Sequence, residues 1–231
     1  MLSAAETTAV VLSLKVAFWS VLVSLPPALA IAWLLARRDF PGKSVLDAMV
    51  HLPLVLPPVV IGYFLLILFG RRGPLGALLE EYLGIVVAFR WTGAALASAI
   101  KGFPLMVRAM RLSLEAIDRK LEAAAATLGA NPLAVFVSVT FPLCLPGIIT
   151  GSVLSFARGL GEFGATITFV SNIPGETQTL PLAIYTYTQV PGGDAQALRL
   201  SLIAVLLSLV ALLASEWMSR RATRRAHGHD D

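Results

Sequence analysis

The chain has 231 residues, of which 57% are hydrophobic and only 14% charged, with a net charge of +4. A water-soluble domain carries roughly a quarter charged residues, so too little polar surface exists here to coat a particle in water, and a soluble enzyme or a soluble nucleic-acid-binding domain is excluded. The single Cys144 excludes internal disulfides and cysteine metal sites.

Crossing about 30 Å of hydrocarbon takes roughly 20 apolar residues, and five runs approach that length. The first, about Val10 to Leu35, is interrupted by Lys15 near one end and by Pro26-Pro27. The residues ahead of it include Glu6 and no basic residue, unlike the start of a cleaved signal peptide, so this run is expected to remain as a span. Lys15 lies close enough to the end of the run to extend its ammonium into water. Next, Gly42-Lys43-Ser44 copies the end of a phosphate-binding loop, but the glycine required five positions earlier is Arg37. No ATP site is therefore expected on this chain.

The second run, about Leu46 to Phe69, carries His51, Pro53, Pro57 and Pro58. A bundle tolerates such prolines because neighbouring helices re-satisfy the freed backbone groups. His51, near a boundary, reads as a hydrogen-bonded structural residue. The third run, about Trp91 to Val107, is the weakest because it contains Lys101 ahead of Gly102 and Pro104. An ionisable residue inside a span is a functional candidate; a cation lining an anion route and a structural lysine both fit the sequence.

The segment from Glu122 to Gly129 favours helix through Thr127, breaks at Gly129 and restarts at Asn131-Pro132, an N-cap followed by proline at the first helical position. The expectation is a short helix, a sharp turn and a second helix entering the fourth run, about Ala134 to Ala157, which holds no charge. Beyond it, Arg158 and Glu162 flank a glycine-rich turn at an ion-pair spacing, either fixing that turn or meeting a solute. Phe163 to Val170 is apolar but too short to span, as in a re-entrant piece. A stretch rich in Pro, Gly and hydroxyls follows, with a short helix-like piece between prolines. The fifth run, about Leu198 to Met218, leads into a basic tail, 218–231, whose His227 and His229 read as solvated rather than metal-binding.

These elements describe an all-α membrane protein with five transmembrane helices and one domain, 1–231, with its core at about 9–217. Placing the N-terminus outside puts Arg37, Arg38, Lys43, Arg108, Arg111, Arg119, Lys120, Arg220, Arg221, Arg224 and Arg225 inside. Only Arg71, Arg72, Arg90, Arg158 and Arg199 then fall outside, so the basic-loop asymmetry favours N-out and C-in. Asp47, Glu162 and Glu216 sit at span ends rather than facing one another, which argues against an intramembrane enzyme. No internal repeat supports a carrier working alone.

The segment around Gly129 resembles the cytoplasmic signature of importer permeases of the ATP-binding-cassette superfamily. That signature reads EAA, three residues, Gly, nine residues, Ile, one residue, Leu-Pro. Aligned on Gly129, its triplet falls on Ala123, Ala124 and Ala125, and its end on Val139, Phe141 and Pro142; the acidic residue, Glu122, stands one position early. HLPLVLPPVVIGY (51–63), GRRG (70–73) and RGLGEFGATITFVSNIPGETQTLP (158–181) are similar to the molybdate permeases of that superfamily, while GEFGA alone is shared with sulfate permeases.

The resemblance implies the type I importer permease fold. It implies that Glu122, Ala123, Ala124, Ala125, Gly129 and Pro142 belong to a coupling-helix region docking on an ATPase. Arg158, Glu162, Phe163, Gly164, Thr166, Thr168, Ser171 and Asn172 become candidates for the solute pathway and its gate, with Thr177, Gln178 and Thr179 adding neutral donors. The implied assembly is a homodimer in the bacterial cytoplasmic (inner) membrane, with two copies of a cytoplasmic ATP-binding subunit carrying ATP and Mg, and an extracytoplasmic molybdate-binding protein. No cofactor, metal or nucleic acid is implied for this chain. The implied cargo is molybdate with tungstate beside it; the alternative is a sulfate or thiosulfate importer permease.

Overall fold

The computed structural model describes residues 2–227. Eleven α-helices, one π-helical stretch and no strand occur among the described residues. The first helix, α1 (Ala4–Arg37), begins at a capping box: the Ser3 hydroxyl accepts from the Glu6 amide at 3.2 Å, and the Glu6 carboxylate accepts from the Ser3 amide at 2.6 Å. Ala9, Ser13, Ala17, Ser20, Ser24, Ala28, Ala32 and Ala36 recur every three or four residues along it, and all are buried. This small-residue face continues past Pro26 and Pro27 without ending the helix.

Two further helices pack against that face. These are α5 (Trp91–Glu115) and α8 (Phe141–Leu160). On α8 the matching face is Gly147, Gly151, Ser155 and Gly159, four residues apart and all buried. A Cβ at Gly151 would lie 3.0 Å from the Met106 carbonyl, and one at Gly159 would lie 3.5 Å from the Ala17 Cα. In lipid the hydrophobic effect gives no help to helix association, so dispersion contacts at close approach supply the attraction.

Breaks divide the remaining apolar runs. Helices α2 (Lys43–Val55) and α3 (Pro58–Phe69) meet at 111° across Leu56 and Pro57, both extended. After α4 (Pro74–Leu83), α5 and α6 (Arg119–Thr127), the chain enters α7 (Pro132–Val135), passes a π-helical stretch at Phe136–Thr140, and continues into α8. Two short helices follow, α9 (Gly164–Val170) and α10 (Leu180–Thr188), before the last, α11 (Asp194–His227). α9 lies directly on α3, where a Cβ at Gly62 would stand 2.6 Å from the Ala165 carbonyl.

The expected spans are only partly reproduced. Among the described residues, three helical stretches are long and apolar enough to cross a membrane: Ala4–Arg37, Pro132–Leu160 and Asp194–Met218. The expected second span is the bent α2–α3 pair, which makes four if counted as one crossing; Pro57 and the extended Leu56 break the ladder. α5 has the length, at 25 residues, but Lys101, Arg108, Arg111 and Glu115 lower its apolarity. The helix of the fifth run also continues through most of the expected tail, to His227; His229 lies outside the described residues.

Two ends are defined by long-range ties. At one, buried Glu6 accepts from the Nε and Nη2 of Arg199 on α11, and the Ser13 hydroxyl accepts from the Leu180 amide at 2.6 Å. At the other, α1 ends against α6. The outer face of α11 stays apolar and uncovered, with 11% of its span-length window buried.

Close packing of α5 on α8 should be the most fragile feature. A Cβ at Gly102 would stand 2.2 Å from the Ser155 Oγ. Gly102→Ala is expected to lower stability by about 1–3 kcal/mol, and Ser155→Gly in the same chain to recover most of it, as read by thermal unfolding of the purified protein in detergent. Equal stability of Gly102→Ala and the parent would show that the two helices separate freely.

Candidate functional site

The hairpin of α6 and α7 is built as its sequence directs. Asp118 caps α6, accepting from the Lys120 amide at 2.9 Å, and Asn131 caps α7, accepting from the Ala134 amide at 2.8 Å. Between them Gly129 has φ +89°, a conformation that side chains disfavour, and no atom lies within 4 Å of where its Cβ would be. No residue of α6 or α7 is buried; Leu128 is 89% exposed and Leu133 71%. Ala123 and Ala124 face solvent, Ala125 is half-buried, and exposed Pro142 opens α8. Pro142 and Val139 line a groove of about 730 Å³ with Leu121 and Trp217.

Glu122 faces the other way. Its Oε1 accepts from Arg37 at 3.0 Å and from the Thr140 hydroxyl at 2.6 Å. Arg37 ends α1, and Thr140 ends the π-helical stretch, so one carboxylate ties the hairpin to two spans. The widened π turn places Thr140 inward, where it is buried. At this end Arg111 also pairs with Glu115 at 2.7 Å and with Asp47 at 3.0 Å, and His51 Nδ1 lies 2.8 Å from the Asp47 carbonyl. His51 is thus held structurally, as expected. In Gly42-Lys43-Ser44, Gly42 is the N-cap of α2 after the short link from α1, and the Lys43 ammonium lies 2.9 Å from Asp39.

The other candidate region surrounds the turn from α8 to α9. Glu162, 2% exposed, accepts from the Ala165 amide at 3.0 Å and forms an ion pair with Arg158 at 3.1 Å. Of the two roles considered for this pair, fixing the turn is the one Glu162 performs in this conformation. Phe163 sits 5.3 Å from the Tyr185 ring, and Gly164 abuts Pro58, where a Cβ would come within 2.7 Å. The Thr168 hydroxyl donates to the Gly164 carbonyl.

Much of the hydroxyl-rich stretch holds itself together. Thr177 is fully buried, its Oγ1 accepting from the Ile173 amide at 2.9 Å, while Asn172 and Gln178 both donate to the Thr186 hydroxyl. Thr166 and Thr179 are buried as well. Ser171, by contrast, is exposed at φ +64°, rare for a residue with a side chain. Of the residues singled out in this region, Ser171 is exposed, and Arg158, Phe163, Gly164, Thr168 and Asn172 are half-buried.

Over residues 28–224 the chain matches the family described as "Binding-protein-dependent transport system inner membrane component". The chain belongs to that family. Among relatives, it is 59% identical over 221 residues, 96% of each chain, to the molybdenum transport system permease protein ModB of Escherichia coli (strain K12). It is 58% identical over 95% of its length, and 96% of the relative's, to the ModB of Haemophilus influenzae. The sulfate transport system permease protein CysW of Synechococcus elongatus is 40% identical, over 87% of this chain and 70% of its own. Among solved structures, a bacterial alginate ABC transporter in complex with its pentasaccharide-bound periplasmic protein aligns with a TM-score of 0.75 at 18% identity, over 96% of this chain and 81% of that one. An inward-facing MetNI methionine ABC transporter aligns at 0.74 and 16%, over 96% and 100%. At such identities the likeness shows the fold, that of an ABC importer permease.

Two features of this family member were invisible to sequence reasoning. One is the Arg37–Glu122–Thr140 knot, whose members are far apart in the chain. The other is the partner of Lys101, a residue 3% exposed whose ammonium donates to the Pro53 carbonyl at 2.7 Å. Lys15 lies exposed with its Nζ 3.7 Å from the centre of the Trp91 ring, a cation–π contact.

The knot predicts a measurable coupling. Arg37 is 8% exposed and Glu122 23%, so Glu122→Gln is expected to cost about 1–3 kcal/mol. A cycle with Arg37→Met should give an interaction of about 0.5–3 kcal/mol in thermal unfolding. Strict additivity would mean that the two side chains do not support one another.

Proposed function

We propose that the chain is the pore-forming permease subunit of an ATP-driven importer that moves molybdate, with tungstate, across the cytoplasmic membrane. The cargo rests on one observation: identity to a molybdenum permease is 59% and covers 96% of both chains, whereas it is 40% over 87% for the sulfate permease. Charge could not decide this, since both cargoes are tetrahedral dianions.

In this reading the chain crosses five times: α1, the bent α2–α3 pair, α5, the α7–α8 stretch and α11. The charges of α5 are admissible because Lys101 is enclosed by protein and Arg111 is paired near the helix end. The Glu6–Arg199 end lies outside and the Glu122 end inside, in keeping with the basic-residue asymmetry. Two copies enclose the pathway. Each exposed α6–α7 hairpin, with Leu121, Leu128 and Leu133, docks on a separate ATPase subunit, and a binding protein delivers cargo outside. The ATPase moves the permease between inward- and outward-open states only through different affinities for them. At the outer turn, neutral donors such as Ser171 and Asn172 replace hydration without holding the ion tightly, since overly strong binding would prevent release.

Uptake by the complete complex in proteoliposomes tests the cargo. Tungstate at equal concentration should compete with labelled molybdate, and a large excess of sulfate should barely reduce it. Gly129→Asp should insert normally yet lose uptake and docking of the ATPase. Equal competition by sulfate would transfer the reading to a sulfate importer.

Orientation is tested separately by an impermeant thiol reagent applied to cells lacking an outer barrier. In a Cys144→Ser background, Ser3→Cys and Gly192→Cys should be labelled and Thr223→Cys should not. Labelling of the last would reverse the topology.

A further inference from the structure

Buried cations are expensive in a membrane protein, and Lys101 is one whose partner can be derived from a proline. In a helix the Pro53 carbonyl would accept from the amide of residue 57. Pro57 has no N–H, so that carbonyl is left without its backbone donor where α2 ends. The Lys101 ammonium supplies the missing donor from α5, at 2.7 Å. A cation at the end of α2 also suits the negative pole of that helix.

The position of this bond matters because two apolar cores meet there. One contains Val50 of α2, Met106 of α5 and Cys144 and Ile148 of α8. The other contains Ile61 of α3, Ala97 of α5 and Phe169 of α9. The α2–α3 break and the α8–α9 break thus both fall between the cores, and they touch where Gly164 abuts Pro58. On α5, Lys101 lies between Ala97 and Met106, at the same boundary. Ser98 and Ser155 are buried at this level with hydroxyls lacking a hydrogen-bond partner, and Ser155 faces Gly102. Glu162 and Arg158, paired at 3.1 Å, hold the second break. Besides the packing of Val50 in the inner core, this bond is the polar tie at the broken end of α2, and Asp47–Arg111 is the one toward its start.

We propose that Lys101 is a positioning residue of the transport cycle, latching the broken end of α2 to α5 at a hinge plane between the two cores and so holding the resting state until cargo is delivered. This rests on the importer reading above. Lys101 is enclosed and does not meet the cargo. In this proposal the inner core moves against the outer one at this plane, and the bond from Lys101 to Pro53 breaks as the end of α2 shifts along α5. Loss of the latch lowers the free energy needed to leave the resting state, so the assembled complex hydrolyses ATP without cargo.

The test compares Lys101→Met and Lys101→Arg with the parent in the complete complex in nanodiscs, at matched amounts of assembled complex. The readouts are basal ATP hydrolysis and its stimulation by the molybdate-loaded binding protein. Lys101→Met should raise basal hydrolysis by about fivefold or more and bring stimulation close to none, whereas Lys101→Arg, which keeps a donor, should preserve stimulation within about twofold. Basal and stimulated rates equal to those of the parent in Lys101→Met overturn the latch. If that variant does not assemble, Pro57→Ala decides: it returns a backbone donor to Pro53 and frees Lys101, so basal hydrolysis should rise in the same way, and an unchanged rate overturns the proposal. A parent complex that ignores the molybdate-loaded protein would overturn the cargo reading alone, because the rise in basal hydrolysis is read without cargo.

Discussion

Helices in lipid approach one another only as closely as the side chains between them allow, and α1, α5 and α8 are brought together by an absence of side chain. Gly102 lies against Ser155, Gly147 against Ser113, and Gly159 against Ala17. The alanine and serine face of α1 completes the contact. Because this trio is tightly packed, everything else can be irregular: α3, α9 and α10 are short, and α2 bends sharply away from α3 while remaining anchored to α5.

Irregular backbone at membrane depth requires that each freed polar group find a partner inside the protein. The structure meets this demand with a side chain at each break. Lys101 serves the carbonyl orphaned by Pro57, Glu162 the Ala165 amide at the start of α9, and Thr177 the turn beyond Ser171. The same demand separates the polar residues of the outer segment into two groups. Thr166, Thr177 and Thr179 are buried, while Arg158, Thr168 and Asn172 are half-buried and bonded within the chain, and Ser171 is exposed. Ser171 holds a φ of +64°, a conformation that costs about 1–3 kcal/mol in a residue with a side chain.

The opposite end follows a different logic. The α6–α7 hairpin buries none of its own residues, so no apolar core of its own holds it in place. What fixes it is the Glu122 carboxylate on Arg37 and Thr140, which leaves Leu128 and Leu133 facing outward.

Local chemistry was legible from residues alone. Hydropathy marked the membrane class, proline and glycine marked the turns at Gly129 and Asn131-Pro132, and the short apolar run at Phe163–Val170 announced α9. These are properties of neighbouring residues, which a one-dimensional reading contains. The sharpness of the bend at Pro57 was not legible, because the prolines were visible but the carbonyl they freed had no visible partner. That Lys101 would reach Pro53, that Glu122 would turn inward to Arg37 rather than outward with Ala123, and that Glu6 would pair with Arg199 were decided only by the tertiary structure. Each depends on how closely the glycine and alanine faces of α1, α5 and α8 pack, a distance set by side chains far apart in the chain.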